Sequence, residues 1–170
     1  MLVTIENFNQ QEKEIFKQII NTVLKDKFIF IDHNPNEFNE ILRNSGYFDL
    51  NYQTKMLVAL AELNELYFRD LNKLFNKYQF VITENYFDCL FINFTQIHFD
   101  KRMKNSINNF MIVKPELTII KINNQDNLNK QKRINELVLK EPQRCKTILN
   151  LDKKKLIEHF LFYMKSHTNK

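Results

Sequence analysis

Lys13 is the residue whose surroundings come nearest to a recognisable chemistry. It follows the short apolar run Leu2 to Ile5 and a polar turn, inside the charged stretch QQEKEIFKQII, which has helical spacing. That is the outline of a phosphate-binding strand–loop–helix of the type GxxxxGK(S/T). In such a loop the glycines let backbone N–H groups turn onto phosphate oxygens, the lysine neutralises transferred charge, and the hydroxyl holds a metal ion. Aligned on Lys13, the glycine positions are Asn7 and Glu12, and the hydroxyl position is Glu14. Only the lysine is present. A carboxylate about 4 Å from a phosphate charge costs on the order of 4 kcal/mol at an effective dielectric near 20. Glu12 and Glu14 therefore offset Lys13 and more, and the simplest expectation for Lys13 is a solvated helix lysine.

A second group of candidates follows the apolar run QFVIT: Glu84, Tyr86 and Asp88. An aspartate such as Asp88 near a helix start is expected to cap it or meet its dipole. Arg133 and Arg144 are expected in surface ion pairs. The histidines His33, His98, His159 and His167 are dispersed, and Cys89 and Cys145 form no CxxC pair, so no metal site is expected and both thiols are expected free. Ser45, Ser106 and Ser166 lie in no nucleophile-elbow context. The aromatic series Phe80, Tyr86, Phe87, Phe91, Phe94 and Phe99 could stack single-stranded bases, but it reads better as sheet core and one helix face.

The elements that must position these residues alternate. Strands are expected at Leu2 to Ile5, Lys27 to Asp32, Gln79 to Thr83, Glu116 to Ile122 and the short stretch CKTILN. Between them lie a first helix with Ile15, Phe16, Ile19, Ile20, Val23 and Leu24 on its apolar side and a turn with Pro35. A short helix closed by Gly46 follows, then a long unbroken helix from Tyr52 to Phe75. ENYFDCLFINFTQ reads as an aromatic helix that FDKRMKNSINNFM extends or follows. A charged helix spans about Asn127 to Leu139, and Asp152 caps a last helix with Leu156, Ile157, Phe160, Leu161 and Met164 on one stripe. Alternation of this kind predicts one α/β domain over residues 1–170, a parallel sheet covered by helices on both faces.

Composition bounds the reading. With 44% hydrophobic and 26% charged residues among 170, the chain is an ordinary globular one with enough length for a sizeable core. A single glycine argues against Gly-rich turns and sandwiches, and the abundance of Asn, Lys, Ile and Phe without Trp fits an A/T-rich coding sequence. The net charge of +5 permits polyanion contact, but the clusters Lys101-Arg102-Lys104, Lys130-Lys132-Arg133 and Lys153-Lys154-Lys155 read as solvated helix faces. No secretory leader or bilayer-length apolar run is evident, so an intracellular, cytoplasmic protein without membrane insertion is expected.

In their order, these segments resemble a thymidylate kinase along nearly the whole chain. MLVTIENFNQQEKEIF sits where that family has its first strand and phosphate loop, and FIDHNPNEFNEILRNSG resembles its Arg-Glu-Pro loop and following helix, with His33-Asn34 in place of Arg-Glu. MLVALAELNELYFRDLNKLF resembles the long helix bearing Ala-Ala-Asp-Arg, with Glu62 near the base-contacting arginine position. FVITENYFDCL resembles the strand ending in Asp-Arg-Tyr, with Glu84-Asn85-Tyr86 there and Asp88 matching beyond it. KPELTIIKI resembles the Pro-Asp-Leu-Thr strand, and EPQRCKTILNLDKKKLIEHF the last strand and helix.

The resemblance implies a three-layer P-loop nucleotide-kinase-like fold with a sheet of about five parallel strands. Within it, the phosphate loop at residues 6–14 is degenerate and the lid region at 123–144 is shortened. Lys13, Glu84, Tyr86 and Asp88 are then vestigial cofactor-binding positions at most, and no catalytic or metal-binding residue is assigned. The reading that follows is a catalytically inactive thymidylate kinase-like protein kept as a binding or scaffolding subunit, with a protein partner or a second copy. MLVAL and CLFINF are the apolar stretches that could form the interface. No cofactor is expected. The alternatives are a divergent nucleoside monophosphate kinase, using ATP and magnesium through Lys13, Glu84 and Arg133, or a basic nucleic-acid-associated protein.

Overall fold

Strands buried on both faces need apolar side chains at most positions, which holds for the central strands, whereas the two edge strands are partly buried; five strands make the sheet. They are β1 (Leu2–Glu6), β2 (Phe28–Ile31), β3 (Phe80–Glu84), β4 (Leu117–Lys121) and β5 (Cys145–Ile148). The computed structural model describes residues 1–32, 51–93, 113–123, 125–149 and 153–168. The turn at Pro35, the helix closed by Gly46, the aromatic stretch through Phe94 and Phe99, the segment FDKRMKNSINNFM and the cap at Asp152 lie outside the described residues.

The strand order is β2-β3-β1-β4-β5, and all four neighbouring pairs are parallel. β1 lies at the centre, with Val3 opposite Ile82 on one side and Leu117 on the other. Alternation along it sends Val3 and Ile5 to one face and Leu2, Thr4 and Glu6 to the other.

The Val3 face is covered by α1 (Gln10–Leu24) and α5 (Lys153–Thr168), whose Phe16, Ile20, Leu24 and Phe160 join Ile5, Ile82 and Ile119 in one core. Asn9 starts α1 with a capping box: its side chain accepts from the Glu12 N–H, and the Glu12 carboxylate accepts from the Asn9 N–H. Of the six apolar positions expected on the inner side of α1, Ile15 instead faces outward, 39% exposed. Leu161 of α5 is likewise 41% exposed, so the inner stripe there is narrower than expected.

The Leu2 face is covered by α2 (Tyr52–Leu66) and α3 (Phe87–Asn93), with Met56, Leu60, Leu63, Val81, Phe87 and Leu90 in its core. α4 (Leu128–Lys140), capped by Asn127, closes the same face toward β5 through Ile134, Ile120, Ile92 and Cys145.

The long helix differs from the unbroken α-helix expected. It passes through a π-helical turn at Tyr67–Leu71, closed by an Asn72 N–H to Tyr67 carbonyl bond, before a last α turn at Asn72–Leu74. Leu66 and Leu71 are both buried. Five residues apart in α geometry they would point about 140° from each other. The wider turn brings them to the same side.

Phe160 is fully buried, its ring 6.0 Å from Phe16 and 6.5 Å from Phe80. Phe160→Ala is expected to cost about 3–5 kcal/mol of stability, read as a lowered urea midpoint with an unchanged slope.

Candidate functional site

In an open parallel sheet, ligands sit outside the carboxyl ends of the strands, where consecutive connections leave in opposite directions. Here that point lies between β1, which leads toward β2, and β4, which leads to β5 on the other side. The side chains around it are Asn7, Glu12, Lys13, Glu84, Lys121, Asn123, Asp126 and Lys130.

Only Asn7, Phe8 and Asn9 connect β1 to α1. Asn7 takes a left-handed backbone, φ 69°, which is the freedom the first loop glycine would have supplied. Its carboxamide then fills the room a glycine would leave. It donates to the Lys121 carbonyl at 2.8 Å and to Asp126 at 2.9 Å, and it accepts from Lys130 at 2.7 Å. Lys130 also pairs with Asp126 at 3.1 Å.

The charges are used internally as well. Lys13 pairs with Glu84 at 2.5 Å, with both side chains largely buried. The expectation of a solvated helix lysine is therefore corrected: α1 packs on the sheet face from which Glu84 projects, and Lys13 is the cation that neutralises it. Glu12 pairs with Lys121. Burial raises the Glu12 carboxyl pKa, but hydrogen bonds from Lys121 and the Asn9 N–H outweigh that and hold it below its ordinary value.

A second polar cluster lies under α3. Asp88 is fully buried and takes a bidentate pair from Arg144, at 2.5 Å and 2.9 Å, together with the Thr118 hydroxyl at 2.5 Å. Thr4 completes the row by donating to Thr118 at 3.0 Å. Asp88 does stand in the first turn of α3, yet both its oxygens are held by Arg144, so the cap reading is corrected to a buried ion pair. Arg144 is no surface residue, its side chain being 12% exposed. Burial works against its charge, but Asp88 and Glu141 outweigh it and raise the guanidinium pKa further. Arg133 donates to the Phe91 carbonyl at 3.0 Å rather than reaching the strand ends.

Tyr86 is buried, and its backbone N–H donates to Glu6 at 3.1 Å. Burial drives the Tyr86 hydroxyl pKa upward. Glu6 is enclosed at the end of β1, and its second carboxylate oxygen has no hydrogen-bond partner among the described residues. Burial, and next the charge of Asp88, pushes its pKa well above the ordinary value. Burial also raises Cys89, with Glu6, Asp88 and Glu62 adding to the effect. Glu62 thus contributes negative charge to this side of the sheet. Both thiols are free, and the described residues contain no group of ligands suited to a metal ion.

Of the residues singled out from the sequence, Lys13 and Glu84 meet, while Asp88 and Tyr86 belong to the separate cluster beneath α3. Asn7, Lys121 and Asp126 were not singled out, and Lys130, expected on a solvated helix face, instead turns inward to Asn7 and Asp126. The only signal for Asn7 was its place at the first glycine position. The arrangement does not fit the phosphate chain of a nucleotide. The loop is three residues long, the Glu12 N–H is taken by the Asn9 side chain, and the three nearby lysines, Lys13, Lys121 and Lys130, all face carboxylates.

Neither protein-family models nor curated proteins match the sequence. Among solved structures, the thymidylate kinase from Ehrlichia chaffeensis is similar, at a TM-score of 0.72 and 15% identity, over 97% of this chain and 98% of that one. The fold class expected from the sequence, a nucleotide-kinase-like parallel sheet of five strands between helices, is the one found.

Two predictions follow from the buried groups. Asp88→Asn leaves the largely buried Arg144 with only the partly exposed Glu141 as counter-charge and is expected to cost about 3–5 kcal/mol, measured by chemical denaturation. For Glu6, the folded protein holds a proton that the unfolded chain releases above its ordinary pKa, so stability contributed below that value is lost as pH rises. Glu6→Gln is therefore expected to match the parent near pH 4 and to exceed it in stability by a growing margin toward pH 8, in paired urea titrations.

Proposed function

We propose that this chain is a catalytically inactive thymidylate kinase-like protein that serves as a binding or scaffolding subunit of a larger assembly. The observation that carries the reading is the closure of the crevice at the strand ends. Asn7 fills the glycine space, Lys13 is neutralised by Glu84, and Lys121 is neutralised by Glu12. Phosphoryl transfer rests almost wholly on positioning and on stabilising charge. Cations already paired inside the protein offer little to an incoming phosphate. Residues 128–140 of the region read as a shortened lid form α4, packed on the sheet through Ile134.

A scaffold needs surface to offer. Of the two apolar stretches considered for an interface, CLFINF turns inward at Leu90 and Ile92. The long helix does expose apolar side chains, Leu57 at 51% and Phe68 at 53%. Among the described residues, no helix is long and apolar enough to cross a membrane. The competing enzyme reading requires Lys13 to leave Glu84 and Arg133 to leave the Phe91 carbonyl before ATP and magnesium could be engaged.

Thermal-shift titration separates the two. A ligand at about 100 times its dissociation constant stabilises a fold by roughly 2.7 kcal/mol. No rise in Tm is expected with ATP, thymidine monophosphate or both, with or without magnesium. A magnesium-dependent rise would overturn the proposal. The scaffold half is tested by light scattering and by cross-linking in the native host. Leu57→Glu with Phe68→Glu is expected to abolish self-association or partner capture while leaving Tm unchanged.

A further inference from the structure

Beside the closed crevice, between the end of β4 and α4, lies a pocket of about 260 Å³ lined by Ile122, Asn123, Gln131, Ile134 and Asn135. Its apolar part is Ile134, which is buried, and Ile122, which packs on the same cluster as Ile92, Ile120 and Cys145. The other three lining residues all carry carboxamides, and none is ionisable.

Those amides are in different states. Asn123 is committed: its oxygen accepts from Lys121 at 2.6 Å, and its nitrogen donates to the Asn7 carbonyl at 3.3 Å. Gln131 is oriented, because its nitrogen donates to the Asp126 carbonyl at 2.8 Å. With that nitrogen held, the Gln131 oxygen is left as an acceptor without a partner among the described residues. Asn135 lies four residues further along α4, on the same face as Gln131. Its side chain makes no hydrogen bond among the described residues, so both its donor and its acceptor are available.

We propose that this pocket binds an uncharged, planar ring compound with an amide-type edge, of the class that includes free nucleobases and nicotinamide. The ring face lies on the partly buried Ile122, above the buried Ile134. A ring N–H or exocyclic amino group donates to Gln131, and Asn135 supplies a donor and an acceptor to the same edge. Side-chain carboxamides recognise such edges because they match a donor and an acceptor side by side. The volume falls just below the range of about 300–1,000 Å³ common for drug-sized ligands, which suits a single small ring system. Lys121 and Lys130, the ammonium groups bonded to Asn123 and Asn7, are already answered by Glu12 and Asp126, so neither is offered to a charged ligand. The pocket adjoins the closed phosphate crevice and shares Asn123 with it, and it stands or falls independently of the scaffold reading.

The test is an NMR titration of the full ¹⁵N-labelled chain with adenine, uracil and nicotinamide, reading the side-chain amides of Gln131 and Asn135 and the backbone of Ile122 and Asn123. At least one probe is expected to give saturable shifts confined to these residues. Asn135→Ala removes an exposed side chain with no partner among the described residues, so the fold should persist. It is expected to weaken binding roughly tenfold, as the loss of one or two hydrogen bonds implies. Adenosine monophosphate should bind no more tightly than adenine. The proposal is overturned if no probe gives saturable shifts at these residues, if Asn135→Ala leaves the affinity unchanged, or if the added phosphate tightens binding tenfold or more.

Discussion

A lysine at the carboxyl end of a parallel sheet sits where the chain could receive an anion, and its energy depends on which anion is near. If a carboxylate of the same chain lies within contact distance, that partner is present at effectively unlimited concentration and costs no association entropy. Lys13 with Glu84 and Lys121 with Glu12 are such pairs. They join α1 to β3 and to β4, and so tie together the three strands that meet at the centre of the sheet. The short connection around Asn7 can close down because no group larger than its own carboxamide has to be admitted.

The second polar cluster follows a different logic. Asp88, Arg144, Thr118 and Thr4 span α3, the approach to β5 and the two central strands. A buried ion pair of this kind adds little net stability over apolar packing of equal volume, yet losing one partner is expensive. Its effect is positional: a bidentate guanidinium–carboxylate contact has one good geometry. It fixes α3 above the sheet and holds the start of β5 in register with β4, where Thr118 lies opposite Cys145.

Legibility in the sequence followed the range of the interaction. Four strands were readable as largely apolar runs, a property of four or five adjacent residues, and the edge strand β5, CKTI, from its place after the break at Pro142. The helix starts at Asn9 and Asn127 are local too, since the cap and its recipient lie three residues apart. The site was less legible. Nothing near Lys13 in sequence reveals that Glu84 will face it, and nothing near Arg144 reveals that its segment passes beneath α3. Both were read as surface charges, because exposure is the commonest fate of a lysine or arginine considered alone. Glu6 was placed in the loop after the first strand, and only its inclusion in β1 and the packing of Tyr86 over it make it a buried acid. The π turn at Tyr67–Leu71 escaped notice because the residues there are acceptable in an ordinary helix; the need for it comes from the sheet on which Leu66 and Leu71 must both rest.

The order of strands in space has a consequence for how the chain reaches this state. β1 is the first strand to be synthesised, yet it occupies the middle of the sheet, between β3 and β4. Until residues 80–84 and 117–121 have emerged, Leu2–Glu6 has hydrogen-bonding groups open along both edges and no partner in the nascent chain. Long-range parallel pairing of this sort is slow, and an apolar strand that waits for it is exposed to association with other chains. The centre of the finished molecule is thus the strand that waits longest for both of its neighbours.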